Sequence, residues 1–140
     1  MEQTAVIELN LPAEYRFLNV LGAVIAALLE RIEGLVEPEI LTYNLQLVVQ
    51  EACANIVDHA YADQSDGRIQ VVLTLELTPR CLIIELDDSG QPFEPASISE
   101  PNLDEAQEGG YGLFLMRHLL DEMIYQPQAD GNHWRLVKNL

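Results

Sequence analysis

Residues 50–61 read QEACANIVDHAY, and the reading of this stretch decides the fold. Leu45, Val48 and Val49 before it and Ala52, Ile56 and Ala60 within it recur at helical spacing and form one apolar stripe. The helix starts near Pro38, whose fixed φ suits the first helical position, and reaches about Tyr61. Glu51, Asn55 and His59 stand four residues apart, so a regular helix sets them in one column. At about 100° per residue, Glu51 and Asn55 fall on the rim of the apolar stripe and His59 nearer its centre. Two readings fit that placement. Carboxylate, carboxamide and imidazole could border a polar pocket, holding a hard cation through oxygen and orienting a nucleophile, or they could form an ordinary solvated helix edge. A zinc site from Glu51, Asp58 and His59 is a third, without the support of an HExxH pattern or a cysteine ligand.

Upstream, residues 4–11, TAVIELNL, are rich in β-formers and stop at Pro12, which predicts an opening strand. A first helix follows from about Glu14 to Glu33, with Phe17, Leu21, Val24, Ile25 and Leu28 on one side and Gly34 as its stop. Downstream, after the turn-prone ADQSDG, the stretch RIQVVLTLEL sets Ile69, Val71, Leu73, Leu75 and Leu77 on one face of a strand. TPR turns the chain, and CLIIELDD returns as an antiparallel partner with Leu82, Ile84 and Leu86 inward. The same alternation points Asp88 inward, a costly direction for a carboxylate. Residues 89–108 have the composition of a long surface loop, and loops of that length are usually functional or disordered. A helix from about Tyr111 to Glu122 and two strands, EMIYQP and NHWRLVKNL around the turn QADG, complete the chain. That order predicts an α+β fold: a two-layer sandwich of a mixed, mostly antiparallel sheet with helices on one face.

At 140 residues the chain fits one domain, 1–140, with a core of ordinary size. A formal charge of −16, with only seven lysines and arginines, argues against nucleic acid and favours basic partners. The N-terminal MEQTAVIELN lacks a positive signal-type region, and the apolar run VLGAVIAALL is about half of what a bilayer requires. No membrane span and a cytoplasmic protein are the expectation. Cys53 and Cys81 form no CxxC pair and read as buried reduced thiols.

Two more clusters carry possible chemistry. DDSGQPF, residues 87–93, ends a hydrophobic strand with an inward acid and a glycine. An ionised acceptor there could take a hydrogen bond from an exocyclic amine while the backbone approaches a flat ring, or the segment could be a plain β-turn. GGYGLFLMRHL places Gly109, Gly110 and Gly112 at the start of an amphipathic helix. Backbone amides at the positive end of a helix dipole suit phosphate, although the same glycines could serve as a hinge or cap. Asp104, Glu105 and Glu108 precede them, so a triphosphate here would need a divalent cation.

In order, ExxxN on a helix, DxG after a strand and GGxG leading into a helix resemble the nucleotide-binding boxes of the superfamily shared by gyrase, Hsp90, histidine kinases and MutL. Within it the chain resembles, over nearly its whole length, the small anti-sigma factor serine-protein kinases of the RsbW and SpoIIAB type, which have the Bergerat ATP-binding fold. The resemblance implies that Glu51 polarises the attacking hydroxyl and that Asn55 ligates Mg²⁺ bridging the phosphates of ATP. It implies that Asp88 accepts from the adenine amino group with Gly90 giving the ring room. Gly110, Gly112 and Leu113 would lie along the phosphates, and residues 91–109 would form a lid. His59 would have a supporting role. The chain departs from the family at Pro92, where a glycine is usual, at Glu108 before the glycines, and at GNH, where GT is usual and Asn132 would substitute.

The function these features imply is an ATP-dependent serine/threonine protein kinase that sequesters a sigma factor and phosphorylates a small STAS-domain antagonist. Arg16 would contact a partner, and a homodimer fits the apolar first helix. The competing expectation is an ATP-gated binding module without phosphotransfer. A sensor-kinase domain lacks its phosphoacceptor hairpin here, and gyrase, MutL and Hsp90 relatives are longer.

Overall fold

The structure, a computed structural model, describes residues 4–61, 66–91 and 111–140. Its elements are β1 (Ala5–Pro12), a 3₁₀ turn (Tyr15–Phe17), α1 (Leu18–Leu29), α2 (Pro38–Asn55) continuing into a π-helical turn (Ile56–Ala60), β2 (Arg68–Leu77), β3 (Arg80–Asp88), α3 (Tyr111–Leu119), β4 (Glu122–Gln128) and β5 (Gly131–Asn139). The five strands form one sheet in the order β1-β2-β3-β5-β4. All four pairings are antiparallel, so the described residues hold no parallel pair.

Period-two alternation sends one face of this sheet into the core. Ile69, Val71, Leu73, Leu82, Ile84, Leu86, Trp134 and Leu136 are buried there, and Ile84 pairs with Leu136 and Leu86 with Trp134 across β3 and β5. The helices cover that face with Leu21 and Ile25 of α1 and Leu45, Val48, Val49 and Ala52 of α2, all in one apolar cluster. Truncating any of the large buried members to alanine would cost about 2–5 kcal/mol, since rigid layers close poorly over the cavity left. Leu77 continues the alternation but is exposed at the strand's end. The opposite face keeps a small apolar patch of Cys81, Ile83 and Val137. Glu85 stands opposite Arg135 and Asp87 opposite His133 in the same pair of strands.

Three helix ends differ from the sequence expectation. α1 stops at Leu29 and not Glu33, because the chain tightens into i−3 bonds from Arg31 to Leu28 and from Ile32 to Leu29 before Gly34 turns it at φ 80°. α3 ends at Leu119, where the next amides bond to Met116 and across to Val137 of β5. The long second helix loses its α geometry at Ile56, and Tyr61 N–H bonds to the Ile56 carbonyl, five residues back, at 3.1 Å. The extra residue in that turn breaks the i, i+4 register, so His59 lies on the exposed side and not near the centre of the apolar stripe.

Both cysteines are free and buried. Burial pushes the Cys53 thiol up to about 12. Among the described residues, no helix is long and apolar enough to cross a membrane.

Candidate functional site

The polar features of the sequence meet where the end of α2, the end of β3 and the starts of β5 and α3 converge. Asp88 is the last residue of β3, and the inward direction that alternation gives it leaves it 9% exposed. Its Oδ1 accepts the Gly90 N–H at 2.9 Å and the Asn132 amide at 2.8 Å. Its Oδ2 is buried and has no hydrogen-bond partner among the described residues. Desolvation raises the Asp88 carboxyl above its ordinary value; the bonds from Asn132 and Gly90 oppose that rise, and neighbouring Asp87 adds to it. A buried carboxylate oxygen without a donor costs free energy, which an N–H or O–H brought to this corner would recover.

The surrounding backbone fixes that corner. Tyr61, at the end of the π turn, donates its hydroxyl to the Arg68 carbonyl at 2.8 Å and accepts the Ser89 N–H at 2.8 Å. Gln91 N–H bonds to the Ala60 carbonyl at 2.8 Å. Helix end and strand end are thereby stitched together on both sides of Gly90. A Cβ built on Gly90 would fall 2.2 Å from the Ala60 carbonyl oxygen, so glycine is needed here for the helix to approach the strand. Gly131, which sequence reasoning missed, has the same kind of role: a Cβ there would fall 1.8 Å from the Asp88 carbonyl oxygen. Tyr61 and Tyr125 were equally invisible, since each acts through a hydroxyl whose partner, seven residues on in the neighbouring strand, is set by how the elements dock. The QADG turn and the position of Gly131 at the head of β5 were the only signals available.

The second half of the site lies in the last two turns of α2. Glu51 and Asn55 are half-buried one turn apart, as their spacing predicts. A Cβ on Gly112 would stand 2.5 Å from Glu51 Oε2, so the first turn of α3 packs directly against the Glu51 carboxylate. Leu113 is buried in the main apolar cluster, which leaves only its backbone for a ligand. Glu51 lies nine positions before Ala60, about two turns back along the continuous helix of α2 and the π turn. Pro92, Glu108, Gly109, Gly110 and nearly all of the expected lid lie outside the described residues. Among the described residues, no group of three or more His, Cys, Asp or Glu could hold a metal, which removes the zinc reading of Glu51, Asp58 and His59.

Arg16 lies in the 3₁₀ turn ahead of α1, exposed, 3.4 Å from the Glu14 carboxylate and 4.6 Å above the Phe17 ring. A separate groove of about 550 Å³ between α1 and α2, lined by residues such as Leu29, Ile32, Thr42 and Tyr43, shares no residue with the Asp88 corner.

A family model described as the histidine kinase-like ATPase domain matches residues 11–138, a span that takes in both halves of this site. The chain belongs to that family. Among its relatives in the histidine kinase-like ATPase family is the serine/threonine-protein kinase BtrW of Bordetella bronchiseptica, 36% identical over 103 residues that make up 71% of each chain. The serine-protein kinase RsbW of Bacillus pumilus is 32% identical over 138 residues, 91% of this chain and 82% of that one. RsbW of Bacillus subtilis is 28% identical over 130 residues, 88% and 79%. Within the family the chain therefore sits with the RsbW and BtrW kinases. The histidine kinase domain of the Erythrobacter litoralis EL346 blue-light activated histidine kinase superposes with a TM-score of 0.59 at 18% identity, over 92% of this chain and 61% of that one. A second structure of that kinase gives 0.57 at 20% identity, over 88% and 42%. The chain spans less than two-thirds of either structure, and the likeness is one of fold: the α+β sandwich expected from the sequence.

Proposed function

We propose that this chain is an ATP-dependent serine/threonine protein kinase that acts as an anti-sigma regulatory factor and phosphorylates a small STAS-type antagonist. The observation that carries the reading is the buried, donorless Oδ2 of Asp88, which fits the exocyclic amine of adenine. The names of the RsbW and BtrW relatives support protein-serine or serine/threonine phosphorylation as the reaction.

Each residue then has a task. Asp88 accepts from the base, and Gly90 lets helix and strand close around that corner. About two turns back along the helix, Glu51 accepts the proton of the acceptor serine hydroxyl as its oxygen bonds to the terminal phosphorus and the bridging phosphorus–oxygen bond breaks, leaving ADP. Asn55, one turn on, offers an amide oxygen to Mg²⁺, which when bound would neutralise phosphate charge that this acidic chain cannot. Gly110, Gly112 and Leu113 offer backbone amides at the start of α3. Arg16, exposed on the turn before α1, is a contact for the sigma factor or the antagonist. One domain over residues 1–140, a cytoplasmic setting and a homodimer complete the proposal.

A second reading, an ATP-gated binding module without phosphotransfer, is favoured by Pro92 and Glu108, which stand where kinases of this kind usually carry other residues. Glu51→Gln separates the two. It keeps the shape and cannot take the proton, so ATP affinity stays near wild type while transfer of labelled phosphate to an antagonist falls by roughly 10²–10⁴-fold. Asn55→Ala loses both. Wild-type protein that binds Mg·ATP and labels no antagonist establishes the second reading.

A further inference from the structure

A carboxylate has two equivalent oxygens and a broad χ2, so an aspartate alone does not present one oxygen to a ligand. Asp88 does, because its Oδ1 is pinned by two donors. One of them is Asn132, 1% exposed on β5 directly opposite Asp88. Its amide spends both N–H groups, one on Asp88 Oδ1 at 2.8 Å and one on the Gln91 carbonyl at 2.8 Å. Its carbonyl oxygen accepts the hydroxyl of Tyr125 on β4. Reversing the amide would set its oxygen against two acceptors and its nitrogen against a donor, so the three partners together determine its orientation.

We propose that Asn132, oriented by Tyr125, is a positioning residue that fixes the plane of the Asp88 carboxylate and so the aim of Oδ2 at the base, and that it thereby sharpens the preference for an amino purine over an oxo purine. The inference rests on the reading that Asp88 receives the base. Oδ2, ionised and held still, welcomes the adenine amine and repels the oxygen that hypoxanthine carries at the same place. Once the Asn132 donor is gone, the Gly90 N–H alone leaves the carboxylate free to swing about χ2, and Oδ2 no longer keeps its aim at the amine.

The test is calorimetric binding of Mg·ATP and Mg·ITP to wild type, Asn132→Ala and Tyr125→Phe, with melting temperatures followed in parallel. Phenylalanine keeps the ring against Trp134, whose centroid lies 4.6 Å from that of Tyr125, so this variant is informative even if Asn132→Ala fails to fold. Wild type should prefer ATP over ITP by roughly 10–100-fold, the scale of a charge-assisted hydrogen bond. The preference should shrink by roughly tenfold in Asn132→Ala and by roughly threefold in Tyr125→Phe. A merely structural role would lower the melting temperatures and leave the ATP-to-ITP ratio untouched, and that result overturns the inference while the base-binding reading stands. Wild type that does not discriminate overturns both.

Discussion

Replacing Asp88 by asparagine asks the corner to work with one oxygen. Oδ1 already serves the Gly90 N–H and the Asn132 amide, so the asparagine must keep its carbonyl there and turn its NH₂ into the place of the donorless Oδ2. The adenine amine then meets a donor. The loss is a hydrogen bond to a charged group, about 1.5–3 kcal/mol, or roughly 10–100-fold in Kd at about 1.4 kcal/mol per tenfold. Stability should move the other way. The native Asp88 carboxyl titrates above its ordinary value of 3.8, so folding favours its protonated form. The resulting cost is absent below the ordinary aspartate value, grows as pH rises through the raised native value, and is present in full above it. At neutral pH the variant should melt at or above the wild-type temperature, and that difference should vanish at acid pH. Titration calorimetry with Mg·ATP and a melting series in pH measure the two effects separately. Unchanged ATP affinity would refute the adenine assignment, and an affinity loss accompanied by a lower melting temperature at neutral pH would show that Asp88 holds the fold and not the base.

Other substitutions probe the remaining contacts. Gly112→Ala puts a methyl 2.5 Å from Glu51 Oε2, the far end of a flexible side chain, so the carboxylate rotates and the fold holds; melting should be unchanged or higher while phosphotransfer drops by about 10²-fold. Gly90→Ala meets the Ala60 backbone instead, which cannot step aside, and chemical denaturation should register a loss of about 1–3 kcal/mol. Lowering the pH should weaken ATP binding as Asp88 protonates, starting at higher pH than an ordinary aspartate would, and Asp88→Asn should abolish that dependence in a calorimetric pH series. Cys53, with its thiol raised to about 12 by burial, should react with Ellman's reagent only as fast as the protein unfolds.

Much of this was legible from local pattern. Period two in residues 68–77 and 80–88 placed the core face of β2 and β3 and turned Asp88 inward, and period 3.6 placed Glu51 and Asn55 on the edge of the core. What escaped lies in long-range pairing or in backbone detail. That Asn132 faces Asp88 depends on β5 docking beside β3, which no local pattern encodes; only the family resemblance had pointed to Asn132. The π turn at Ile56–Ala60 has no signature in residue type, and it exposes His59, which ideal helical geometry had placed nearer the core. Gly90 was read as room for a ring, whereas the contact that excludes a side chain is the Ala60 carbonyl. Leu113 was taken with the glycines before it, but the amphipathic phase of α3 carries its side chain into the core.

The pairing of Asp88 with Asn132 also sets a time at which the protein becomes competent. Asp88 belongs to the hairpin of β2 and β3, and Asn132 to the hairpin of β4 and β5, each closed by a short turn. The contact between them spans 44 residues. Loop-closure entropy makes such a contact follow the local hairpins. On the ribosome, a chain that has made β1 to β3 and both long helices already carries Glu51, Asn55 and Asp88, yet its Asp88 corner stays open until β5 emerges and zips onto β3. At about 5–20 residues per second, the 44 residues between Asp88 and Asn132 leave an interval of seconds in which Asp88 is made and its β5 partner is not.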